Sequence, residues 1–404
     1  MTIISLALFI TLLLAVGLLI RWTRTAQTLP WIESNRNYPL PDPAPKVSLI
    51  VPARNEEDNI EPCLTSLLMQ DYPDLEIIVV NDQSHDRTPE ILAQIKKAYE
   101  DSARDSPTGN RPRLDIIEGK PCPDGWMGKN HALYQGYQTA RGDFLLFMDA
   151  DTLAHPKLVR DSVGFALQSD TGLLTLIHSC EFQCFWDSVV NTLILYFSLF
   201  QKLERFNDPD DPAANSNGPF LLFRRDAYEQ IGGHEAIKGE VVEDLVLARR
   251  VKEKRIRLTW ALAPDLLISR PYPSLADLRK GWGKVIFRSI ERNPRLLRVN
   301  LLSPLFLGLY LLLPWGVLAT LAIKGFISGG NPVLFAQVSL ALCQILTIVG
   351  SERLLEVLFR LRPVYPFAYP LGALVLGWIQ LEAVFRFISG GKVTWKGRQY
   401  GEGG

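Results

Sequence analysis

Neither sign of charge prevails in these 404 residues: 43 Lys and Arg offset 43 Asp and Glu, which removes the electrostatic case for a nucleic-acid partner. Cysteine is scarce. The five present (Cys63, Cys122, Cys180, Cys184 and Cys343) are odd in number and show neither a disulfide framework nor a zinc-type spacing, so they are expected to be reduced. Histidine is equally sparse, and His85, His131, His155, His178 and His234 have no mutual spacing suited to zinc, so they are read as structural or solvated. The most informative scarcity is local. Charge is missing from long stretches near both ends and dense between Arg21 and Arg298, which predicts a water-soluble middle between membrane segments.

The run Thr2 to Ile20 holds no charged residue, and at ~1.5 Å per residue it nearly covers a ~30 Å hydrocarbon layer. It reads as an anchor and not a cleaved leader, having no basic start and no small-x-small cleavage site. Arg21 and Arg24 follow it and place the next segment in the cytoplasm. A second charge-free run lies between Arg298 and Lys324, and the turn signal Gly329-Gly330-Asn331-Pro332 leads into a third that reaches Ser351. Together these predict a hairpin (299–323 and 333–351) whose return end meets Arg353, Arg360 and Arg362, again on the cytoplasmic side. The last apolar stretch, 363–388, resists the same logic, because one more crossing would leave Lys392, Lys396 and Arg398 outside. Either the tail breaks the charge rule, or this stretch is re-entrant or interfacial; Glu382 and Arg386, one helical turn apart, can pair there. The expected division is an anchor (1–21), a cytoplasmic domain (22–295), a C-terminal membrane region (296–390) and a basic tail (391–404), in a multi-pass protein of the cell membrane.

Within the middle, Val47-Ser48-Leu49-Ile50-Val51-Pro52 is short, apolar and β-branched, and is followed by a polar turn and apolar positions Ile60, Leu64, Leu67 and Leu68 at helical spacing. Strand then helix recurs through Leu75 to Val80, Ile91 to Tyr99, Leu114 to Ile117, Ala132 to Ala140 and Phe144 to Met148. The fold class this predicts is α/β, a mostly parallel sheet with covering helices, in which ligands gather at the strands' carboxyl ends. Those ends are acidic: Asn55-Glu56-Glu57 after the first strand, Asp82 after the second, Asp149-Ala150-Asp151 after the fourth. Asp149 and Asp151 flank one small residue. They can hold a hard divalent ion, Mg or Mn, through oxygen, or serve only as solvated turn acids.

The segments VSLIVPARNEEDNI, EIIVVNDQSHDRT, GKNHALYQGYQTARGDFLLFMDADT, GPFLLFRRDAYEQIGGH and VVEDLVLARRV, in that order from Val47 to Val251, resemble the family-two glycosyltransferases of the nucleotide-diphospho-sugar transferase (A-type) fold. The resemblance covers about half the chain. It implies that Pro52, Ala53, Asn55 and Glu56 border the donor nucleotide, that Asp82 contacts its base and that Lys129 lies near the donor, with His131 a further candidate. Asp149 and Asp151 fall on the family's DxD motif, with the metal and the diphosphate. Gly218 and Pro219 open the stretch that borders the acceptor, and Asp244, beside Glu243, falls where the family has its catalytic base. A positioned carboxylate there would take the proton from an attacking alcohol in a single displacement that inverts the anomeric centre. By position alone, Glu243 and Asp244 are equally first-turn acids favoured by a helix dipole.

One signature departs. Many membrane members carry Gln-x-x-Arg-Trp after the base, whereas this chain has Arg279-Lys280-Gly281-Trp282, so Trp282 corresponds but Gly281 stands in place of Arg. This argues against processive polymer synthases and for single transfer. The nearer likeness, through Gly125-Trp126-Met127-Gly128-Lys129 and the tail from Gly391 to Arg398, is to enzymes acting on hydrophobic acceptors: carotenoid, hopanoid-associated and ceramide-type glycosyltransferases. The expected reaction moves a hexose from a nucleotide-diphospho-sugar to a hydroxyl or carboxyl of a lipophilic acceptor, carotenoid or hopanoid first, a glycerolipid or ceramide next. The bilayer is a further partner, and the uncharged Ser188 to Gln201 stretch, too short to span, is either interfacial or a buried core helix. A nucleotidyltransferase would have a Gly-rich basic loop where this chain has Arg54-Asn55-Glu56-Glu57, and a binding-only protein would have no use for Asp149, Asp151 and Asp244 together.

Overall fold

A computed structural model describes residues 2–105, 111–198, 202–328, 332–391, 393–395 and 398–400; Gly329, Gly330 and Asn331 of the turn signal, Lys392 and Lys396 of the tail, and 199–201 of the apolar stretch lie outside them. The chain folds into two compact units. One joins Leu29–Cys180 with Lys202–Arg270; the other joins Met1–Thr28, Glu181–Gln201 and Pro271–Gly404. Thus 181–201 and most of 271–295, placed by sequence in one continuous cytoplasmic domain, group with the apolar helices.

The first unit holds strands β1 (Val47–Ala53), β2 (Leu75–Asn81), β3 (Arg113–Glu118), β4 (Phe144–Met148), β5 (Thr152–Ala154), β6 (Leu173–Ile177), β7 (Ser179–Cys180), β8 (Phe220–Arg224), β9 (Leu258–Leu262) and β10 (Leu267–Ser269). Seven form the main sheet in the order β3-β2-β1-β4-β8-β6-β9. Only β8 runs against its neighbours, so the sheet is mostly parallel, as the alternation of strand and helix predicts. Its apolar runs are buried because helices cover both faces. The helix Ile60–Leu68 buries Ile60, Leu64 and Leu67 of the four positions its spacing marks, together with Cys63, and leaves Leu68 partly buried. Gly136 lets the helix Gly128–Thr139 lie close on β1, since a Cβ there would come 2.5 Å from Ile50 Cγ2. Pairing of Ala53 with Asn81 and of Ile50 with Phe147 puts the carboxyl ends of β1, β2 and β4 on one edge. A small sheet, β5-β10-β7, stands beside that edge.

Among its described residues the second unit contains four helices long and apolar enough to cross a membrane: Ile3–Thr28, Arg295–Thr320, Pro332–Phe359 and Pro366–Ile388. The first continues past Arg21 and Arg24 to Thr28. Polar side chains stitch these helices together, as expected where no water competes. Gln344 accepts from Thr11 Oγ1 at 2.9 Å and donates to the Tyr310 carbonyl at 2.7 Å, and Gln337 donates to Thr2 Oγ1 at 2.8 Å. Helix Phe185–Ser198 buries Val189, Val190, Leu193 and Tyr196 and packs against the last two apolar helices. Glu382 and Arg386 pair at 2.7 Å.

Candidate active site

Two clusters form on the carboxyl edge of the main sheet. At the ends of β1 and β2, Asp82 is buried and its backbone N–H donates to the Ala53 carbonyl at 2.7 Å. Arg54 donates to the Asp82 carbonyl at 2.5 Å, Asn55 N donates to Ser84 Oγ at 3.0 Å, and Glu56 N donates to Thr88 Oγ1 at 2.8 Å. Asn55 takes φ +51°, a conformation Asn tolerates because its short side chain bonds locally; here Oδ1 accepts from His85 N at 2.9 Å. Pro52, Ala53, Asn55, Glu56 and Asp82 are therefore assembled in one place.

At the end of β4 and the start of the antiparallel β8 the second cluster is built around Lys129, in the first turn of Gly128–Thr139. Its ammonium lies 2.7 Å from Asp149 Oδ1 and 2.7 Å from Glu243 Oε1. Burial works against the ammonium, but the two carboxylates outweigh it and raise the Lys129 pKa well above its ordinary value. Asp149 comes directly off β4, and Glu243 opens the helix Glu243–Glu253. Gly218, just before β8, closes the group: its N–H donates to Asp244 Oδ2 at 3.0 Å, and a Cβ there would sit 3.3 Å from that oxygen and 3.7 Å from Lys129 Nζ. Leu245 N donates to Asp244 Oδ1 at 2.7 Å, and Ser216 Oγ donates to the Asp244 carbonyl at 2.7 Å. Burial first, and Glu243 second, push the Asp244 carboxyl up to about 7, against the opposing pull of Lys129.

Three residues not singled out by sequence shape this cluster. Asn130 Nδ2 donates to the carbonyls of Ile237, Lys238 and Glu240, tying the lysine-bearing turn to the segment before Glu243. Asn217, preceding Gly218, is fixed by Thr175 Oγ1, which accepts from its N–H at 2.9 Å, and its side chain donates to the Leu176 carbonyl at 2.8 Å and His178 Nδ1 at 3.1 Å. His178, buried, completes the chain through Nε2 to Ser269 Oγ at 3.0 Å, and burial lowers its pKa to about 4, so the ring is neutral. The only textual signal was a polar residue before Gly-Pro and an amide after Gly-Lys. His234, read as structural or solvated, is the former: it is completely buried, with Tyr228 Oη 2.8 Å from Nδ1.

Asp151 follows Ala150, and its carbonyl accepts from Arg270 N at 3.0 Å. Among the described residues no group of three or more His, Cys, Asp or Glu side chains is arranged to hold a metal. The oxygen donors at hand, Asp149 and Asp151, fit an ion of the Mg type, which is held by one or two carboxylates with phosphate and water completing its shell. Trp282 belongs to the other unit, in the helix Leu275–Arg292, where its Nε1 donates to Asn191 Oδ1 at 2.8 Å. A Cβ at Gly281 would lie 2.5 Å from the Tyr272 ring, so that ring fills the space beside the glycine that replaces the signature arginine.

A sheet of this topology with acids on its carboxyl edge defines a nucleotide-sugar transferase fold. Residues 48–232 match the model of glycosyl transferase family 2, and the chain therefore carries a family 2 glycosyltransferase domain. A 4,4'-diaponeurosporenoate glycosyltransferase of Staphylococcus aureus (strain USA300) is 28% identical over 243 residues, which is 59% of this chain and 60% of the relative; the match thus spans about three fifths of that relative's length. The solved mannosyltransferase PcManGT from Pyrobaculum calidifontis, in complex with GDP-Man and Mn2+, superposes with a TM-score of 0.53 at 19% identity, covering 94% of this chain and 99% of that one. It shares the A-type fold.

Proposed function

We propose that this chain is a membrane glycosyltransferase that moves a hexose from a nucleotide-diphospho-sugar onto a lipophilic acceptor, with a carotenoid the first candidate and a hopanoid, glycerolipid or ceramide next. The observation that carries this reading is the cluster of Lys129, Asp149, Glu243 and Asp244. A half-buried carboxyl poised near 7 is matched to proton abstraction at neutral pH. The acceptor oxygen attacks the anomeric carbon, the bond to the diphosphate breaks with its electrons on the departing phosphate, and Asp244 takes the acceptor's proton. Inversion follows from the single displacement. Gly218 N and Leu245 N hold the two Asp244 oxygens in place for this step. Lys129 supplies positive charge beside the departing phosphate, and Glu243 keeps the ammonium oriented. Asp149 and Asp151 would hold a divalent ion, which when bound adds charge stabilisation to the diphosphate. Pro52 to Glu56 and Asp82 would frame the nucleotide, and Gly218 and Pro219 the acceptor.

The relative's name and the four long apolar helices support a lipid-soluble acceptor and a multi-pass membrane protein. Arg21 and Arg24 on one side of the anchor, and Arg353, Arg360 and Arg362 after the third helix, support a cytoplasmic catalytic unit. The test is to express the chain in membranes, offer labelled nucleotide sugars and identify the labelled lipid by mass. A labelled lipid sensitive to Asp244→Asn supports the reading; donor hydrolysis without any labelled lipid, whatever the acceptor panel, contradicts it. An acceptor carboxylate has no proton to lose, so retained transfer to an acid alongside lost transfer to an alcohol would identify the carboxyl as the accepted group.

A further inference from the structure

We infer that the last apolar helix, Tyr369–Ile388, does not cross the bilayer but lies in its cytoplasmic face, so that the chain ends on the side where Arg295 lies. Length and composition alone admit it as a fourth crossing. Its neighbours within the same unit do not suit one.

The helix Leu275–Arg292 carries seven charged residues among eighteen and runs beside it. Arg279 sits with its guanidinium 5.4 Å from the centre of the Trp378 ring and its Nε 3.7 Å from Glu382 Oε2, and further on Phe287 meets Phe387 at 5.8 Å. The last third of the apolar helix therefore lies along a helix too charged for the hydrocarbon layer. Its direction is fixed by Arg295–Leu307 and the turns that follow. Gly377 packs on Pro304, and Trp315 Nε1 donates to Tyr369 Oη at 2.9 Å, so higher numbers on one side meet lower numbers on the other. The pair is antiparallel, and Ile388 lies at the Arg295 end. Arg360 and Arg362 already mark the chain's approach as cytoplasmic. Entry and exit are thus on one face.

The surface of the helix agrees. Leu371, Leu374, Trp378, Leu381, Phe385 and Ile388 recur at spacings of three and four and are between 44% and 73% exposed. The opposite side, including Gly372, Ala373, Leu376 and Ile379, is buried against the unit's own helices. One apolar stripe is left uncovered, continuous with the membrane-spanning helices and bordered by Arg279 and Arg386. The occupant this chemistry fits is the acyl layer of an anionic leaflet, with the basic residues at its headgroups. The conflict over the tail also disappears: Lys392, Lys396 and Arg398 then follow the positive-inside tendency.

The test fuses green fluorescent protein or periplasmic alkaline phosphatase to the C-terminus of the full chain, and in parallel inserts each between Ser328 and Pro332. The inference predicts opposite sides for the two positions, with a fluorescent, phosphatase-inactive C-terminus. Opposite sides with signs exchanged would overturn the cytoplasmic placement, both here and under the proposed function. The same side for both positions would overturn the inference. A second arm labels Leu374→Cys and Phe385→Cys, in a chain with its native cysteines replaced by serine, in phosphatidylglycerol and phosphatidylethanolamine vesicles. Quenching of both by lipids brominated just below the headgroup is expected. Quenching of neither, as when a second copy covers the stripe, or of one alone, as in a crossing, would contradict it.

Discussion

Asp244 is the residue whose chemistry is most exposed to test. Replacing it with Asn should lower turnover of an alcohol acceptor by ~10²–10⁴-fold with donor binding kept, as loss of a general base does. In the wild type the acidic limb of the rate profile should fall near the pKa of about 7 that burial and Glu243 impose, with activity lost as pH drops through it. Stability runs the other way. A carboxyl raised in the folded state binds its proton more tightly there, so this group's contribution is full below the ordinary carboxylate range of ~4 and is lost as pH rises from there to about 7. The midpoint of thermal unfolding of Asp244→Asn should accordingly vary less over that window. Lys129→Met removes the one cation between Asp149 and Glu243 and should cost ~10²–10³-fold in turnover, measured against wild type at saturating donor. Asp149 and Asp151 were legible as candidates because acids at strand ends are wasted as core, and Asp244 only through the family resemblance. The lysine's place between Asp149 and Glu243 was not, since Lys129 and Glu243 are 114 positions apart and no local pattern encodes their meeting.

At the scale of elements, the strands of the sheet were readable because each is a short apolar run bounded by polar turns, and Val47–Ala53 and Phe144–Met148 emerge almost residue for residue. The reversal of β8 was not, for Phe220 to Arg224 has the same apolar character whichever way it runs. The small β5-β10-β7 sheet escaped notice because strands of two or three residues carry no period. Helix Gly128–Thr139 is held to the segment before Glu243 by the Asn130 side chain and by Met127 N, which donates to the Lys238 carbonyl at 2.7 Å, and these contacts set the cluster's spacing. Asn130→Ala should destabilise the unit that holds the cluster by about 1 kcal/mol in denaturant unfolding, because the Glu240 carbonyl loses its Asn130 donor while those of Ile237 and Lys238 keep a backbone one. Turnover should fall with it.

For the whole molecule, two units made from interleaved segments were beyond reach of a linear reading, which assigns domains to continuous runs. Glu181–Gln201 and the helix Leu275–Arg292 look soluble or ambiguous in isolation, and are claimed by the second unit because their apolar sides bury on its helices. The charge-free runs did mark that unit's helices, four of which, among the described residues, are long and apolar enough to cross a membrane. Alkaline carbonate washing should leave the chain in the membrane pellet, and its recovery in the supernatant would argue against spanning helices. The account as a whole rests on sugar transfer occurring at the acids around Lys129. The most direct test is the rate of labelled-sugar transfer to membrane lipid by Asp149→Asn beside wild type at equal folded protein. A loss of ~10²-fold or more is expected of a residue that holds the leaving group's charge in balance, whereas an undiminished rate would contradict the account.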